Sequence, residues 1–119
     1  QEIDMNRLMS GYYVGIEEDI KTDDNGSMIA TAEDVAKFIR ALNDKSIFTE
    51  NEAEIYADLY KYNHTGLVPG YQTIANYHKE LDAVVIQFTN TTDFNGYEWS
   101  LSEINYNRII KILERKQNQ

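Results

Sequence analysis

The stretch YQTIANYHKELDAVVIQFT, which runs from Tyr71 to Thr89, decides the fold of this 119-residue chain. Its two ends, Tyr71 to His78 and Ala83 to Thr89, are rich in the β-branched and aromatic residues that favour strands. Only the short turn from Lys79 to Asp82 separates them. The sequence therefore predicts two antiparallel strands joined as a hairpin.

Two more strands are predicted nearer the start of the chain. Leu59 to Gly66 has an extended pattern and lies just before the hairpin. Gly11 to Ile16 has the aromatic and β-branched content of a short strand. A turn signal from Thr22 to Gly26 follows it.

Two helices are predicted between that turn and the hairpin. Thr31 and Asp34 approximate a capping box, and the apolar residues behind it recur at i, i+3, i+4 and i+7, which indicates an amphipathic helix. Those apolar residues are Val35, Phe38, Ile39 and Leu42. Thr49 and Glu52 form a second capping box, which opens a shorter helix that reaches Leu59.

A third helix is predicted at the end of the chain, where Ser100 and Glu103 form a capping box. Its apolar side consists of Tyr106, Ile109, Ile110 and Leu113. Because the helices near residues 31–43 and 101–115 each present one apolar stripe, we expect both to cover the same face of the sheet. The expected fold class is α+β, with helices packed on an antiparallel β-sheet in one domain spanning residues 1–119.

The charge and hydrophobicity of the chain disfavour some classes of binding partner. Twenty acidic and eleven basic residues give a net charge of -9, which repels the phosphates of nucleic acids and anionic membrane surfaces. No run approaches the roughly 18 apolar residues of a membrane span, and the chain has no cysteine. We therefore expect neither nucleic-acid binding nor membrane insertion, while localisation stays open.

Two features suggest a metal site, and both fail on spacing. In the acidic turn, placing Gly26 at the sixth position of a calcium loop puts Lys21 first and Ala32 twelfth, where ligands are required. The two histidines, His64 and His78, have no HExxH helix between them that would hold zinc. We therefore expect no metal and no other cofactor.

Four motifs follow one another along the chain. They are GSMIATAEDVAKF from Gly26 to Phe38, the triplet His-Thr-Gly at residues 64–66, LVPGY from Leu67 to Tyr71, and VVIQFTN from Val84 to Asn90. In this combination the chain resembles the C-terminal portion of the serine β-lactamase-like family, which includes class C β-lactamases, DD-peptidases, related esterases and penicillin-binding-protein-like enzymes. The resemblance covers roughly residues 11 to 116 and implies a partial β-lactamase/transpeptidase-like fold.

The resemblance implies cleft or substrate-binding roles for four residues. In the family the triplet lies on a sheet-edge strand that lines the active-site cleft, so His64 would supply a polar or cationic group there and Thr65 a hydroxyl. Gly66 would let a substrate backbone approach closely, and Leu67 would offer its backbone N–H to the oxyanion. Without the resemblance, His64 and Thr65 are ordinary strand residues, and Gly66 and Gly70 serve turns.

Two other motifs of the family are absent from the chain. None of its five serines is followed three residues later by lysine, and no tyrosine or serine is followed two residues later by asparagine. The resemblance thus implies a nucleophile and base upstream of Gln1, and no catalytic residue in this chain. The chain would be the C-terminal segment of a serine hydrolase, inactive alone, whose full-length parent acts by acyl transfer on a small-molecule or peptide carbonyl.

Two other functions remain open at this point. The first alternative is a non-catalytic binding or interaction domain that keeps the fold and has lost the chemistry. The second is an acidic inhibitor-like protein that uses its surface charge.

The isolated chain is expected to form a homodimer. In the family the sheet is completed by elements from the N-terminal end, so this segment alone would leave a strand edge or an apolar face open. Val84, Ile86 and Phe88 alternate with Val85 and Gln87, which gives both faces of that strand apolar residues. Two-fold edge pairing or exchange of a terminal element would cover them.

Overall fold

A computed structural model describes residues 3–22, 29–57, 63–96 and 98–119 of the chain. Its elements are, in order, a 3-10 turn (Met5–Arg7), β1 (Tyr12–Tyr13), α1 (Ala32–Asn43), α2 (Glu50–Ala57), β2 (His64–Val68), β3 (Tyr71–His78), a second 3-10 turn (Lys79–Leu81), β4 (Ala83–Thr89), β5 (Thr91–Thr92) and α3 (Glu98–Gln117). β2, β3 and β4 form an antiparallel sheet in that order, so the expected α+β fold class is confirmed. Within the described residues, none of the helices combines the length and the apolar character that crossing a membrane requires.

The predicted hairpin is confirmed with the expected strand boundaries. Its turn ends at Asp82, whose φ of 47° is left-handed, a conformation that aspartate tolerates better than most residues. The Asp82 carboxylate accepts a hydrogen bond from the Tyr77 hydroxyl at 2.8 Å and lies 2.6 Å from Arg40 Nη1. Arg40 first, and then Tyr77, hold the pKa of that carboxyl below its ordinary value. The turn is thereby tied to α1.

The two long helices lie on opposite faces of the sheet, so the expectation of a shared face is wrong. Contacts with Gln72 and His78, which point to one face of β3, come from Ser102 and Tyr106 of α3. Tyr77 points to the other face, because side chains alternate along a strand. There the Arg40 guanidinium of α1 lies 5.3 Å from the Tyr77 ring centre.

The physical reason is the apolar character of both faces of β4. The register pairs Val85 with Asn76 on the α3 side, and Val84 with Tyr77 on the α1 side. Each face therefore needs its own cover, and one helix supplies each. The cover is incomplete, since no residue of β4 is fully buried and Phe88 is 39% exposed.

Two of the three capping boxes are confirmed. The Thr31 hydroxyl accepts the Asp34 N–H at 3.1 Å, and α1 begins at the next residue after Thr31. Thr49 donates its N–H to the Glu52 carboxylate at 2.8 Å, and Glu52 returns its N–H to the Thr49 hydroxyl at 3.4 Å. These bonds occupy N–H groups that have no partner within the first turn of a helix.

The capping box predicted for α3 is wrong. The helix already begins at Glu98, so Ser100 lies inside its first turn and not at its cap. Ser102 is the buried residue at this end of α3 and hydrogen-bonds into the sheet. A start at Ser100 would leave the N–H of this buried residue among the unbonded groups of the first turn, whereas a start at Glu98 gives it a partner within the helix.

The two strands predicted earlier in the chain differ from the observed ones. β1 covers only Tyr12–Tyr13 and pairs in parallel with β5, outside the main sheet. β2 extends beyond Gly66 to Val68, while the first part of the predicted strand, residues 59–62, lies outside the described residues. Most of the acidic turn, residues 23–26, also lies outside them.

The buried residues sit between the sheet and each helix. Ile74, Tyr106 and Ile110 pack together on the α3 side, and Ile39 and Ala75 are 2% and 1% exposed. Two residues predicted for the apolar stripes are instead at the surface, since Phe38 is 54% and Ile109 41% exposed. A helix contacts a three-stranded sheet along a narrow line, and residues at the margins of its stripe stay in solvent.

A half-buried histidine links β3 to α3. His78 Nε2 lies 2.7 Å from the Tyr106 hydroxyl, which in turn lies 3.0 Å from the Val85 carbonyl oxygen. Since the carbonyl can only accept, the hydroxyl donates to Val85, and His78 Nε2 donates to Tyr106. Burial lowers the pKa of His78, against a smaller opposing effect of the Glu114 carboxylate, and raises the pKa of Tyr106 to about 12.

We expect the free energy of unfolding to fall between about pH 7.5 and about pH 5.5, and His78→Gln to remove much of this dependence. The unfolded imidazole takes up a proton below its ordinary pKa of 6.5, whereas burial keeps the folded imidazole neutral to lower pH. Acid therefore favours the unfolded chain. Urea denaturation at a series of pH values measures the effect.

The matched control is His64→Gln, because His64 is an exposed strand residue. It should keep the dependence of the wild-type chain over this range. A His78→Gln variant that is as acid-sensitive as the wild type would contradict the role given to His78.

Candidate functional site

The four residues singled out from the sequence lie together on one edge of the sheet. His64, Thr65, Gly66 and Leu67 belong to β2, and all four are exposed. β2 pairs with β3 on one side, and no strand of the described chain pairs with its other side. Among the described residues, the triplet therefore forms an open sheet edge.

The direction of each peptide group along β2 follows from its pairing. A two-residue loop joins Val68 to Tyr71, and such loops are closed by a residue pair whose N–H and C=O groups face each other. The Tyr77 N–H also points towards β2, where it donates to Asn63 Oδ1 at 3.0 Å. Since hydrogen-bonded and non-bonded pairs alternate in an antiparallel ladder, His64, Gly66 and Val68 bond to β3.

The alternate residues direct their peptide groups away from the sheet. Thr65 and Leu67 turn their N–H and C=O groups to the open edge, and no hydrogen bond between described residues engages the Leu67 N–H. An N–H group that points outward from the open edge of a sheet can donate a hydrogen bond to a carbonyl oxygen. This is the direction that the role proposed for Leu67 requires.

Gly66 has no conformational or packing reason to be glycine. Its φ is not positive, and a Cβ built on it would meet only Thr73 Cβ, at 3.9 Å, an ordinary contact. Gly70, by contrast, has a φ of 86°. The interpretation that both glycines serve turns is wrong for Gly66, which lies inside β2, and right for Gly70.

The side chains around the edge are polar but unconnected. His64 lies on the α1 side of the sheet and Thr65 on the α3 side, because their partners Ala75 and Ile74 point to those faces. No hydrogen bond or ion pair joins either side chain to another described residue. His64 and His78 point to opposite faces and cannot share a metal ion, and no described group of three metal-binding side chains exists.

None of the serines described by the structure is activated. Ser102 is 6% exposed and donates to Gln72 Oε1 at 2.7 Å. Ser10 hydrogen-bonds to Asp19 and Ser46 to Asp44. A serine nucleophile needs a base such as histidine or lysine in hydrogen-bond reach, and none of these three has one.

The turn that ends β2 is fixed by three packed segments. Proline restricts its own φ to negative values, so Pro69 followed by the left-handed Gly70 gives a type II turn. The Gly70 N–H donates to Thr92 Oγ1 at 2.7 Å, and Thr92 is completely buried. A Cβ on Gly70 would lie 3.2 Å from Gly11 Cα, so the two backbones meet closely.

The N-terminal segment closes over the same turn. A Cβ on Gly11 would lie 2.6 Å from the Tyr71 ring, and the Tyr71 hydroxyl donates to the Met9 carbonyl oxygen at 2.6 Å. The Asp19 carboxylate accepts the Gly11 N–H at 3.0 Å. The Ser10 hydroxyl, and then the Lys21 and Gly11 N–H groups, lower the pKa of Asp19 to about 2 against the effect of burial. This junction fixes the C-terminal end of the edge strand.

A layer of polar side chains between α3 and the sheet was not anticipated from the sequence. Gln72 accepts from Ser102 Oγ at 2.7 Å and donates to the Thr91 carbonyl oxygen at 2.9 Å. Gln87 donates to the Ser102 carbonyl oxygen at 3.1 Å. One feature of the sequence could have revealed this layer. Because side chains alternate along β3, Gln72 lies on the same face as Ile74 and therefore points into the core.

No family model, no curated protein and no solved structure matches the chain.

We expect Gly70→Ala to destabilise the protein by about 1–3 kcal/mol, because alanine is strained at a positive φ and its methyl group would crowd Gly11. Gly66→Ala should leave the free energy of unfolding unchanged or raise it by up to about 1 kcal/mol, since alanine is favoured over glycine inside a strand. Urea denaturation of the two variants measures both effects. Equal destabilisation would show that Gly66 has a structural role.

Proposed function

We propose that this chain is the part of a β-lactamase-like serine hydrolase that contributes the His-Thr-Gly strand to the active-site cleft. The proposal includes a partial β-lactamase/transpeptidase-like fold, completed by polypeptide outside these residues. The observation that supports it is the Leu67 N–H, which faces an open sheet edge next to a glycine that neither packing nor backbone conformation requires.

The residues of the edge have separate tasks in the proposed reaction. When a nucleophile attacks an amide, lactam or ester carbonyl, negative charge develops on the carbonyl oxygen, and the Leu67 N–H donates a hydrogen bond to it. Gly66 leaves room for the substrate backbone to lie against β2. His64 and Thr65 border the edge on its two faces, where they hold polar groups of the substrate.

The chain cannot complete this reaction alone. A hydrogen-bond donor stabilises the oxyanion but forms no covalent bond, and acyl transfer needs an activated nucleophile. In the proposed function a Ser-x-x-Lys segment supplies it from outside the 119 residues. This chain therefore contributes one wall of the cleft and one hydrogen-bond donor to the oxyanion, and the other segment contributes the nucleophile and the base.

A non-catalytic binding domain is the second candidate. The observation that favours it is the same open edge, because exposed peptide groups of Thr65 and Leu67 can pair with an added peptide strand without any chemistry. In that case the edge binds an extended segment of a partner, and no carbonyl is cleaved.

The isolated 119-residue chain should show neither a burst nor turnover with chromogenic β-lactams or p-nitrophenyl esters. The physical reason is the lack of an activated nucleophile. Stopped-flow and steady-state absorbance measure it. Turnover that persists through further purification, and that is lost with a Ser102→Ala or Ser46→Ala variant, would contradict the proposal.

The decisive experiment uses the longest natural reading frame that contains this segment. A fluorescent penicillin or an activated ester should label it covalently. Leu67→Pro deletes the outward N–H while the edge position tolerates proline, so the acylation rate should fall by about 10²–10³. Leu67→Ala, which keeps the N–H, should stay within a few-fold of wild type. If no label forms and a peptide strand binds instead, the binding-domain candidate is correct.

A further inference from the structure

The outer face of α3 carries the most regular exposed apolar pattern of the described chain. Leu101, Asn105, Arg108 and Ile112 follow one another at i, i+4, i+7 and i+11, which places them in one stripe along the helix. Ile104 and Ile109 flank the stripe, one on each side. We call these six residues the α3 outer stripe.

The apolar members of the stripe are well exposed although they are large. Leu101 is 52%, Ile104 46%, Ile109 41% and Ile112 53% exposed. The buried side of the same helix is occupied by other residues, Ser102, Tyr106 and Ile110. The sheet therefore does not use the outer stripe, and its four aliphatic side chains face solvent in the single chain.

The stripe is symmetric about its own midpoint. Consider a second α3 placed antiparallel, with a two-fold axis that passes between residues 106 and 107. Leu101 then faces Ile112 of the second copy. Ile104 lies beside Ile104 of the second copy on one side of the interface, and Ile109 lies beside Ile109 of the second copy on the other side. Asn105 faces Arg108 of the second copy, and its side-chain carbonyl can accept from that guanidinium. Every member of the stripe finds a suitable partner in an identical helix.

The charges of α3 favour the same orientation. Its first half carries the acidic residues Glu98 and Glu103, while the second half carries four basic residues and one acidic residue. These are Arg108, Lys111, Arg115, Lys116 and Glu114. An antiparallel pair sets each basic half beside an acidic half and also aligns the helix dipoles favourably. A parallel pair would place the two basic halves together.

We propose that the α3 outer stripe is a homodimer interface, in which two copies of this chain pair their α3 helices antiparallel about a two-fold axis. The same patch serves both copies, as in other isologous interfaces. One pair of helices about 30 Å long buries less surface than a standard stable interface. The dimer is therefore concentration-dependent. This interface leaves the edge of β2 free, so it uses none of the residues on which the proposed function rests.

Sedimentation equilibrium of the 119-residue chain, from low to high micromolar concentration, tests the dimer. The wild type should change from monomer to dimer over this range. Ile104→Glu should raise the dissociation constant at least about ten-fold, because a carboxylate is costly to bury against apolar side chains. Ile112→Glu should act in the same way, and circular dichroism checks that both variants fold.

Two matched variants separate the stripe from other surfaces. Ile55→Glu replaces a residue that is 60% exposed on α2, and should leave the dissociation constant unchanged. Mixing Ile104→Glu with Ile104→Lys should restore a heterodimer, since the two new charges lie side by side on the same side of the interface. A wild type that stays monomeric, or a dimer that tolerates both glutamate variants, overturns the proposal.

Cross-linking tests the orientation directly, because these 119 residues contain no cysteine. A mixture of Leu101→Cys and Ile112→Cys should form a disulfide-linked dimer under mild oxidation. Leu101→Cys alone should not, since its two copies would lie about 16 Å apart along the axis at about 1.5 Å per residue, beyond disulfide reach. Efficient linking of Leu101→Cys alone would show a parallel pair and overturn the proposed register.

Discussion

The hydrogen bond from the Gly70 N–H to the buried Thr92 hydroxyl is the contact on which the arrangement of the chain depends. It joins the turn after β2 to β5, and Gly11 packs against the same point from the N-terminal segment. Gly11 is a glycine because the Tyr71 ring leaves no space for a Cβ, and Gly70 because its φ is positive and Gly11 lies close to it. Three segments that are far apart in sequence are thereby held at one place, and the open edge strand ends there.

The hairpin and the two capped helices were predictable from the sequence because their signals are local. The strands follow from the alternation of residues along Tyr71–His78 and Ala83–Thr89. The helix starts follow from the capping side chains of Thr31 and Thr49, which bond to groups only three residues away. The side of the sheet chosen by each helix was not predictable in the same way. It depends on the fact that both faces of β4 are apolar and that each needs a helix packed on it. This becomes known only when the sheet and the helices are placed together. The early start of α3 was missed for a related reason, since Ser102 is held by Gln72, thirty residues away along the chain.

The residues of the candidate site were found through a resemblance. The structure adds the direction of their peptide groups and the space around them, which a sequence motif does not contain. His64, Thr65, Gly66 and Leu67 could be named from the sequence, but the outward direction of the Leu67 peptide group follows only from the register with β3. The freedom around Gly66 likewise becomes visible only when its neighbours are placed. Gln72 and Gln87 escaped attention because an amide in a strand looks like a surface residue until the facing helix is known.

The polar layer beneath α3 has a consequence for the order in which the domain can assemble. Gln72 satisfies its amide with one bond to β5 and one to α3, and both partners must be in place before the side chain is fully paired. A helix that docks one turn out of register, or before β5 is formed, buries an unpaired amide, and such a group costs about 1–3 kcal/mol. Apolar contacts alone would permit several positions of α3 along the sheet. The hydrogen bonds of the amides allow only one of these positions. α3 can therefore dock without an unpaired amide only after the sheet and β5 have formed.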